Sequence, residues 1–202
     1  MALTLSQLVS AVREEARDPS SVRWSDVTIT RYLNDGQREL AQLSRKLNVW
    51  ESSVAANTQS VAMPADMLFL REAAWQQINQ KWGLDIRYGT PRVEPDEKGD
   101  PLYVYVVGGV LVLVPIPWTA GTLILAGTPK PVDMANATDT PSLEDCDSAL
   151  IAYATYRCLL ADGDPMAAAR KQEWEELKNA WVIADAQRNP MPKVLRRREW
   201  WW

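Results

Sequence analysis

The sequence predicts an α+β fold in which two N-terminal and two C-terminal helices form an antiparallel bundle. A small antiparallel β-sheet is inserted between the pairs, and an extended C-terminal arm follows. Three observations predict it. Apolar residues recur at helical spacing near both ends, as Leu5, Leu8, Val9 and Val12 and as Trp174, Leu177, Trp181 and Ala184. Between them, two runs rich in valine and tyrosine, Tyr103–Val107 and Val110–Val114, flank Gly108-Gly109, the pattern of a two-residue hairpin. Past Pro190 the helical pattern stops, and the chain closes on KVLRRREWWW.

Residues 1–48 hold the first helix pair. Thr4 and Gln7 form a capping-box pair that opens the first helix, and Asp18-Pro19-Ser20-Ser21 ends it. Ser25 caps the second, whose seam runs through Ile29, Leu33, Gly36, Leu40, Leu43 and Leu47. Gly36 lies in that seam, either as a site of close backbone approach or as a tolerated helical glycine.

Residues 49–140 are β-rich. Val54 and Val61 bracket an Asn57-Thr58 turn that suits a short hairpin, and Met63-Pro64 leads into a loop. Residues 68–78 admit two readings: the alternation of Leu68, Leu70 and Glu72 favours a strand, while Ala73-Ala74-Trp75-Gln76 would also suit a helix. A turn-rich stretch from Gly89 to Pro101 precedes the Gly-Gly hairpin. Pro115-Ile116-Pro117-Trp118 ends its second strand, and a third runs from Thr122 to Ala126.

Residues 141–188 restore helix. Ser142 is the expected N-cap of a segment apolar on nearly every side from Ala149 to Ala154, hence a helix covered by its neighbours. Asp162-Gly163 closes it, and Asp164-Pro165 opens the last helix. Residues 189–202 are the arm. Trp24, Trp174 and Trp181 read as core residues, whereas Trp118 suits either a loop-tip contact or core packing.

The 202 residues carry a formal net charge of −4, so the body has no general attraction for nucleic acid. No apolar run reaches the roughly 18 residues of a membrane span, and Met1-Ala2-Leu3-Thr4 lacks a secretory n-region, which predicts synthesis in a cytoplasm. Cys146 and Cys158, placed on one helix, stand roughly 18 Å apart, too far for a disulfide. There is no histidine, which removes the commonest general base, zinc ligand and triad partner together. The acids Glu14-Glu15, Asp145, Asp147 and Glu173, Glu175 and Glu176 read as solvated helix faces rather than a catalytic pair. No catalytic, cofactor-binding or metal residue is predicted.

Three quoted stretches, WSDVTITRYLNDGQRELAQLSRKLNVW, VAMPADML and PLYVYVVGGVLVLVPIPWTAGTLIL, followed by a C-terminal helix pair, resemble the head–tail adaptor, or connector, proteins of tailed bacteriophages. The most specific part is the order of pieces. Tyr32-Leu33-Asn34 and Gln37-Arg38-Glu39-Leu40 share a long helix, Pro64-Ala65-Asp66 makes a corner, and a strand pair ends in Pro115-Ile116-Pro117. The resemblance implies a non-enzymatic homo-oligomeric ring, typically dodecameric, in the neck of the virion. Its implied partners are the portal protein above, a downstream tail, nozzle or stopper protein below, and double-stranded DNA that passes through the lumen without sequence-specific binding. No membrane partner and no cofactor are implied. A C-terminal arm that reaches the portal is also part of the resemblance.

On the residues alone, the tail admits four readings: a frayed end, a nucleic-acid binder, a membrane-surface segment and a protein anchor. Three adjacent exposed indoles promote association unless covered. A duplex offers them no unstacked bases, and three charges with three rings make a marginal membrane anchor. Tryptophan and arginine are the residues most enriched where few side chains carry most of the binding energy. The anchor reading is therefore preferred, and taken with the resemblance it implies that Lys193, Val194, Leu195, Arg196, Arg197, Arg198, Trp200, Trp201 and Trp202 are the portal-docking arm. From Lys193 onward it spans about 33 Å when extended. Gly108, Gly109, Ile116 and Trp118 are candidate ring or tail-side contacts. Two alternatives stand beside the adaptor: a phage-encoded cell-wall glycosidase using paired carboxylates, and a nucleic-acid-binding module acting through the Arg/Trp tail.

Overall fold

A computed structural model describes residues 2–78, 80–91 and 97–190 of the chain. It divides into two units, one built from Met1–Arg45 with Lys130–Pro190, the other centred on Lys46–Pro129.

The first unit holds α1 (Leu5–Glu15), α2 (Asp26–Leu43), α3 (Asp147–Ala161) and α4 (Ala167–Arg188). α1 starts where the sequence signals it, with Gln7 Oε1 accepting the Thr4 N–H at 2.9 Å. Its next free N–H groups, on Leu5 and Ser6, donate to the carbonyls of Asp139 and Ala137. Ser25 Oγ caps α2 by accepting from the Thr28 N–H. α3 contacts all three other helices and buries Leu150, Ala154 and Cys158 completely, as its apolar run predicts. Gly36 is a site of close approach: a Cβ there would stand 2.9 Å from Tyr153 Cδ1 on α3.

Two local expectations give way in this unit. α2 ends at Leu43, which is itself half exposed, so Leu47 does not extend the seam. Ser142 does not cap α3, whose N-cap is Cys146. It is drawn instead into the loop before α3, where its N–H donates to Gln37 Oε1 and its Oγ accepts from Val132.

The second unit corrects the predicted fold class. The sheet is neither small nor purely antiparallel, and the chain is not a helical bundle with a minor β insertion. Seven strands form one mixed, nearly closed, barrel-like sheet in the order β1-β9-β3-β4-β6-β7-β2. They are β1 (Asn48–Val54), β2 (Ser60–Ala62), β3 (Met67–Gln77), β4 (Gln80–Tyr88), β6 (Tyr103–Val107), β7 (Val110–Val114) and β9 (Gly121–Pro129). β5 (Lys98–Gly99) and β8 (Ile116–Pro117) make a separate parallel pair. Within the large sheet, β4 and β6 run parallel and every other neighbour is antiparallel. One core fills its concave side. Trp75, Leu111, Leu113, Leu123 and Leu125 are fully buried there, and both edge strands contribute, Val54 from β1 and Val61 from β2. Each such aliphatic side chain contributes about 1.5–3 kcal/mol through burial.

The expected hairpin across Asn57-Thr58 is absent, because β1 pairs with β9 and β2 with β7, at opposite edges of the sheet. β4 was not foreseen. Its sequence, QKWGLDIRY, offers only Trp82, Leu84 and Ile86 to the core, and the turn before it carries no glycine.

Candidate functional site

The α2 motif that supplies the resemblance is a structural lock. Asn34 is buried and meets Met134 twice, Nδ2 donating to its carbonyl at 3.0 Å and Oδ1 accepting its N–H at 2.9 Å. Gln37, wholly buried, donates to the Val132 carbonyl and accepts from the Ser142 N–H. Arg38 pairs with Asp35 and Asp133. Asp139 ties off the same loop by accepting the N–H groups of Asn136 and Ala135, which hold its carboxyl below the usual carboxylate range against the opposing effect of burial. Little more than one turn of α2, Asn34 to Arg38, thus shapes residues 132–142, and that loop in turn caps α1.

A second lock joins the α1–α2 turn. The Arg13 guanidinium is buried, donates to the Trp24 carbonyl, and pairs with Asp18 at 3.3 Å and Asp26 at 2.5 Å. Most of the acids that the sequence flags are also committed. Glu15 and Glu173 share Arg170, Glu175 pairs with Lys178, Asp145 with Arg188, and one Asp147 oxygen accepts the Leu3 N–H. Cys146 and Cys158 are buried free thiols, each pushed up to about 12 by burial and neighbouring carboxylates.

The second unit carries the predicted contact residues at two separate places. Gly108 and Gly109 form the β6–β7 turn with φ of 55° and 83°, the left-handed pair that a tight hairpin requires. The Gly109 carbonyl accepts the Met63 N–H. Ile116 and Trp118 lie beyond the other end of β7, a strand of five residues, roughly 17 Å away. Ile116 is partly covered in the β5–β8 pair, while Trp118 is 60% exposed, its indole N–H donating to Asp100. Trp118 is therefore exposed rather than packed in the core.

Beside Trp118 stands a residue that sequence reasoning missed. Ile78, at the β3–β4 turn, is 98% exposed, and its neighbour Gln77 donates to Thr119 Oγ1 at 2.7 Å. An isoleucine isolated among Gln76, Gln77, Asn79 and Gln80 was the available signal. The proposed docking arm, from Lys193 to Trp202, lies outside the described residues.

Among the described residues no helix is long and apolar enough to cross a membrane. None of the curated proteins matches the chain. A family model described as SU10 adaptor protein matches residues 3–196.

Proposed function

This chain belongs to the SU10 adaptor protein family, and from that premise we propose that it is a bacteriophage virion structural protein that forms a head-to-tail adaptor ring. The ring joins the portal to the tail and continues the DNA channel, and the C-terminal arm docks on the portal. The observation that carries this reading is the family match, which spans nearly the whole chain and agrees with the resemblance seen in the α2 motif and the Gly-Gly hairpin. The structure adds support of a different kind. The conspicuous polar residues, Arg13, Asn34, Gln37 and Asp139, are spent on holding backbone, and Glu15, Asp145, Glu173 and Glu175 on ion pairs, so their chemistry is that of a rigid part rather than of a reaction centre.

In this reading the arm supplies affinity and the two units supply shape. Burying one exposed indole contributes on the order of 2–3 kcal/mol, and repetition around a ring raises a modest single-site affinity through effective concentration. The exposed tips, Gly108-Gly109 at one end of the sheet and Trp118 with Ile78 at the other, are ring or tail-side contacts. The excess of acidic residues repels phosphate and lets the genome slide through the lumen. The test is direct. The purified chain mixed with the portal protein of its own phage is expected to form a closed ring on it, visible by electron microscopy. A chain that neither binds the portal nor adds density to it overturns the reading.

A further inference from the structure

Arg157 on α3 is half-buried in an unusual setting for an arginine. Its guanidinium carbon lies 5.2 Å from the centre of the Tyr32 ring and 5.7 Å from that of Tyr153. One of its five N–H donors bonds the Tyr153 hydroxyl at 3.0 Å. That hydroxyl donates onward to Glu39, so the nearest acid on α2 is held one group away and makes no ion pair with Arg157. Arg31 stacks on the same Tyr32 ring, 5.1 Å from its centre, and is likewise without an ion-pair partner among the described residues. The other acid on this stretch of α2, Asp35, is taken by Arg38.

Two guanidinium groups therefore share one ring, and among the described residues the Tyr153 hydroxyl is the one hydrogen-bond acceptor that either of them meets. Next to them Leu160 is 52% exposed, and Tyr156 packs edge-on against Tyr153. Arginine and tyrosine around an exposed leucine are the composition of a protein interface centre. Stacking preorders the Arg157 fork, which lowers the ordering cost when a carboxylate is received in two-pronged fashion. Nucleic acid fits less well, since Leu160 gains nothing from a phosphate backbone and two charges give little phosphate affinity.

We propose that the Arg31–Arg157 face of α2 and α3 is an interface between copies of this chain, in which Arg157 receives a carboxylate of the neighbouring copy. Charge complementarity selects that occupant. Residues 193–202 hold four basic residues and one acid, so the rest of the chain carries a formal −7. A second copy thus brings an excess of carboxylates for two unpaired arginines to meet. This deepens the adaptor reading and rests on it for the ring.

The test is sedimentation of the full chain from micromolar to millimolar concentration at low and high salt, with anisotropy of a labelled DNA duplex as a parallel arm. Wild type is expected to self-associate reversibly and less at high salt. Arg157→Glu weakens association about tenfold or more, and Arg157→Lys by less, because the ammonium keeps the charge without the fork. Should Arg157→Glu melt earlier than wild type, Arg31→Glu carries the test from a more exposed position. A wild type that stays monomeric throughout, an Arg157→Glu chain that associates like wild type, or an effect of the substitution on DNA binding alone overturns the proposal. The adaptor reading is judged separately by portal binding of wild type, so a portal-bound ring formed equally well by Arg157→Glu sinks this inference and leaves that one standing.

Discussion

Asp18 accepts the N–H groups of Val22, Arg23 and Trp24 and pairs with Arg13. Burial opposes its charge, and the three N–H groups with the guanidinium outweigh burial, so its carboxyl lies below the ordinary range. A depressed folded value means stabilisation that is present above the unfolded value, about 3.9, and lost as pH falls through the folded one. Thermal melts followed by circular dichroism should therefore show the helical signal weakening in the acid range below about pH 4. Asp18→Asn should be less stable than wild type at neutral pH and lose less on acidification; a variant with the wild-type pH profile would contradict the assignment. Gly36→Ala sets two effects against each other. Helix propensity gains about 1 kcal/mol, while the new Cβ, 2.9 Å from a buried tyrosine ring that Glu39 and Arg157 hold in place, costs about 1–3 kcal/mol. The ring cannot yield cheaply, so denaturant unfolding should report a net loss of about 1 kcal/mol. The two thiols, pushed up to about 12, should resist a thiol reagent at neutral pH and react only after denaturation.

Among the elements, β9 shows why strands cannot be judged one at a time. It lies between β1 and β3 and contributes Leu123 and Leu125 to the core. Excising residues 101–129 would therefore remove an interior strand together with β6 and β7, and leave the remaining strands without their partners. Excising Lys46–Pro129 is the cleaner cut, because Asn48 opposes Gly127 across the β1–β9 ladder, roughly 5 Å apart. A chain with that segment replaced by a short linker is expected to keep its helical circular-dichroism signal and a cooperative melt. Loss of the helical signal would show that the first unit does not fold alone. The β6–β7 turn gives a finer probe. Gly109→Ala forces a side chain onto a φ of 83° and should cost about 1–2 kcal/mol of the sheet's stability. Unfolding monitored by tryptophan fluorescence checks it, since Trp50, Trp75 and Trp82 all lie in or against that core.

For the whole molecule, the arm separates the competing functions. As a protein anchor, it should lose stable portal docking when Trp200, Trp201 and Trp202 are deleted. Arg196, Arg197 and Arg198 replaced by glutamine should weaken docking less and make it less salt-dependent, as a charge-assisted contact is screened at a wet rim. A nucleic-acid reading predicts the reverse order, with arginines dominant and binding falling steeply as salt rises. Portal pull-down of the two variants at two salt concentrations distinguishes them. The free chain is further expected to be largely monomeric in dilute solution and to close into rings on the portal, because ordering an arm is costly until a partner covers it. Analytical ultracentrifugation that finds a stable ring at micromolar concentration without the portal would refute that order of events.

By itself the sequence determined the features whose causes are local. The Thr4–Gln7 and Ser25 caps, the apolar run that makes α3 central, the 108–109 hairpin and the motif of α2 are all written within a few neighbouring residues. Only the tertiary structure decided how the strands assemble. β1 and β2 are consecutive yet occupy opposite edges, β4 and β6 pair in parallel, and β9 returns to insert between β1 and β3. Strand pairing joins backbones far apart in sequence, and its stability resides in cross-strand contacts and a shared core, so polar-patterned strands such as β1 and β4 carry little signal of their own. The same holds for the surface sites. Ile78 came to lie beside the 118–119 loop, and Arg31 and Arg157 came to share the Tyr32 ring, through packing between segments that no spacing in the chain connects.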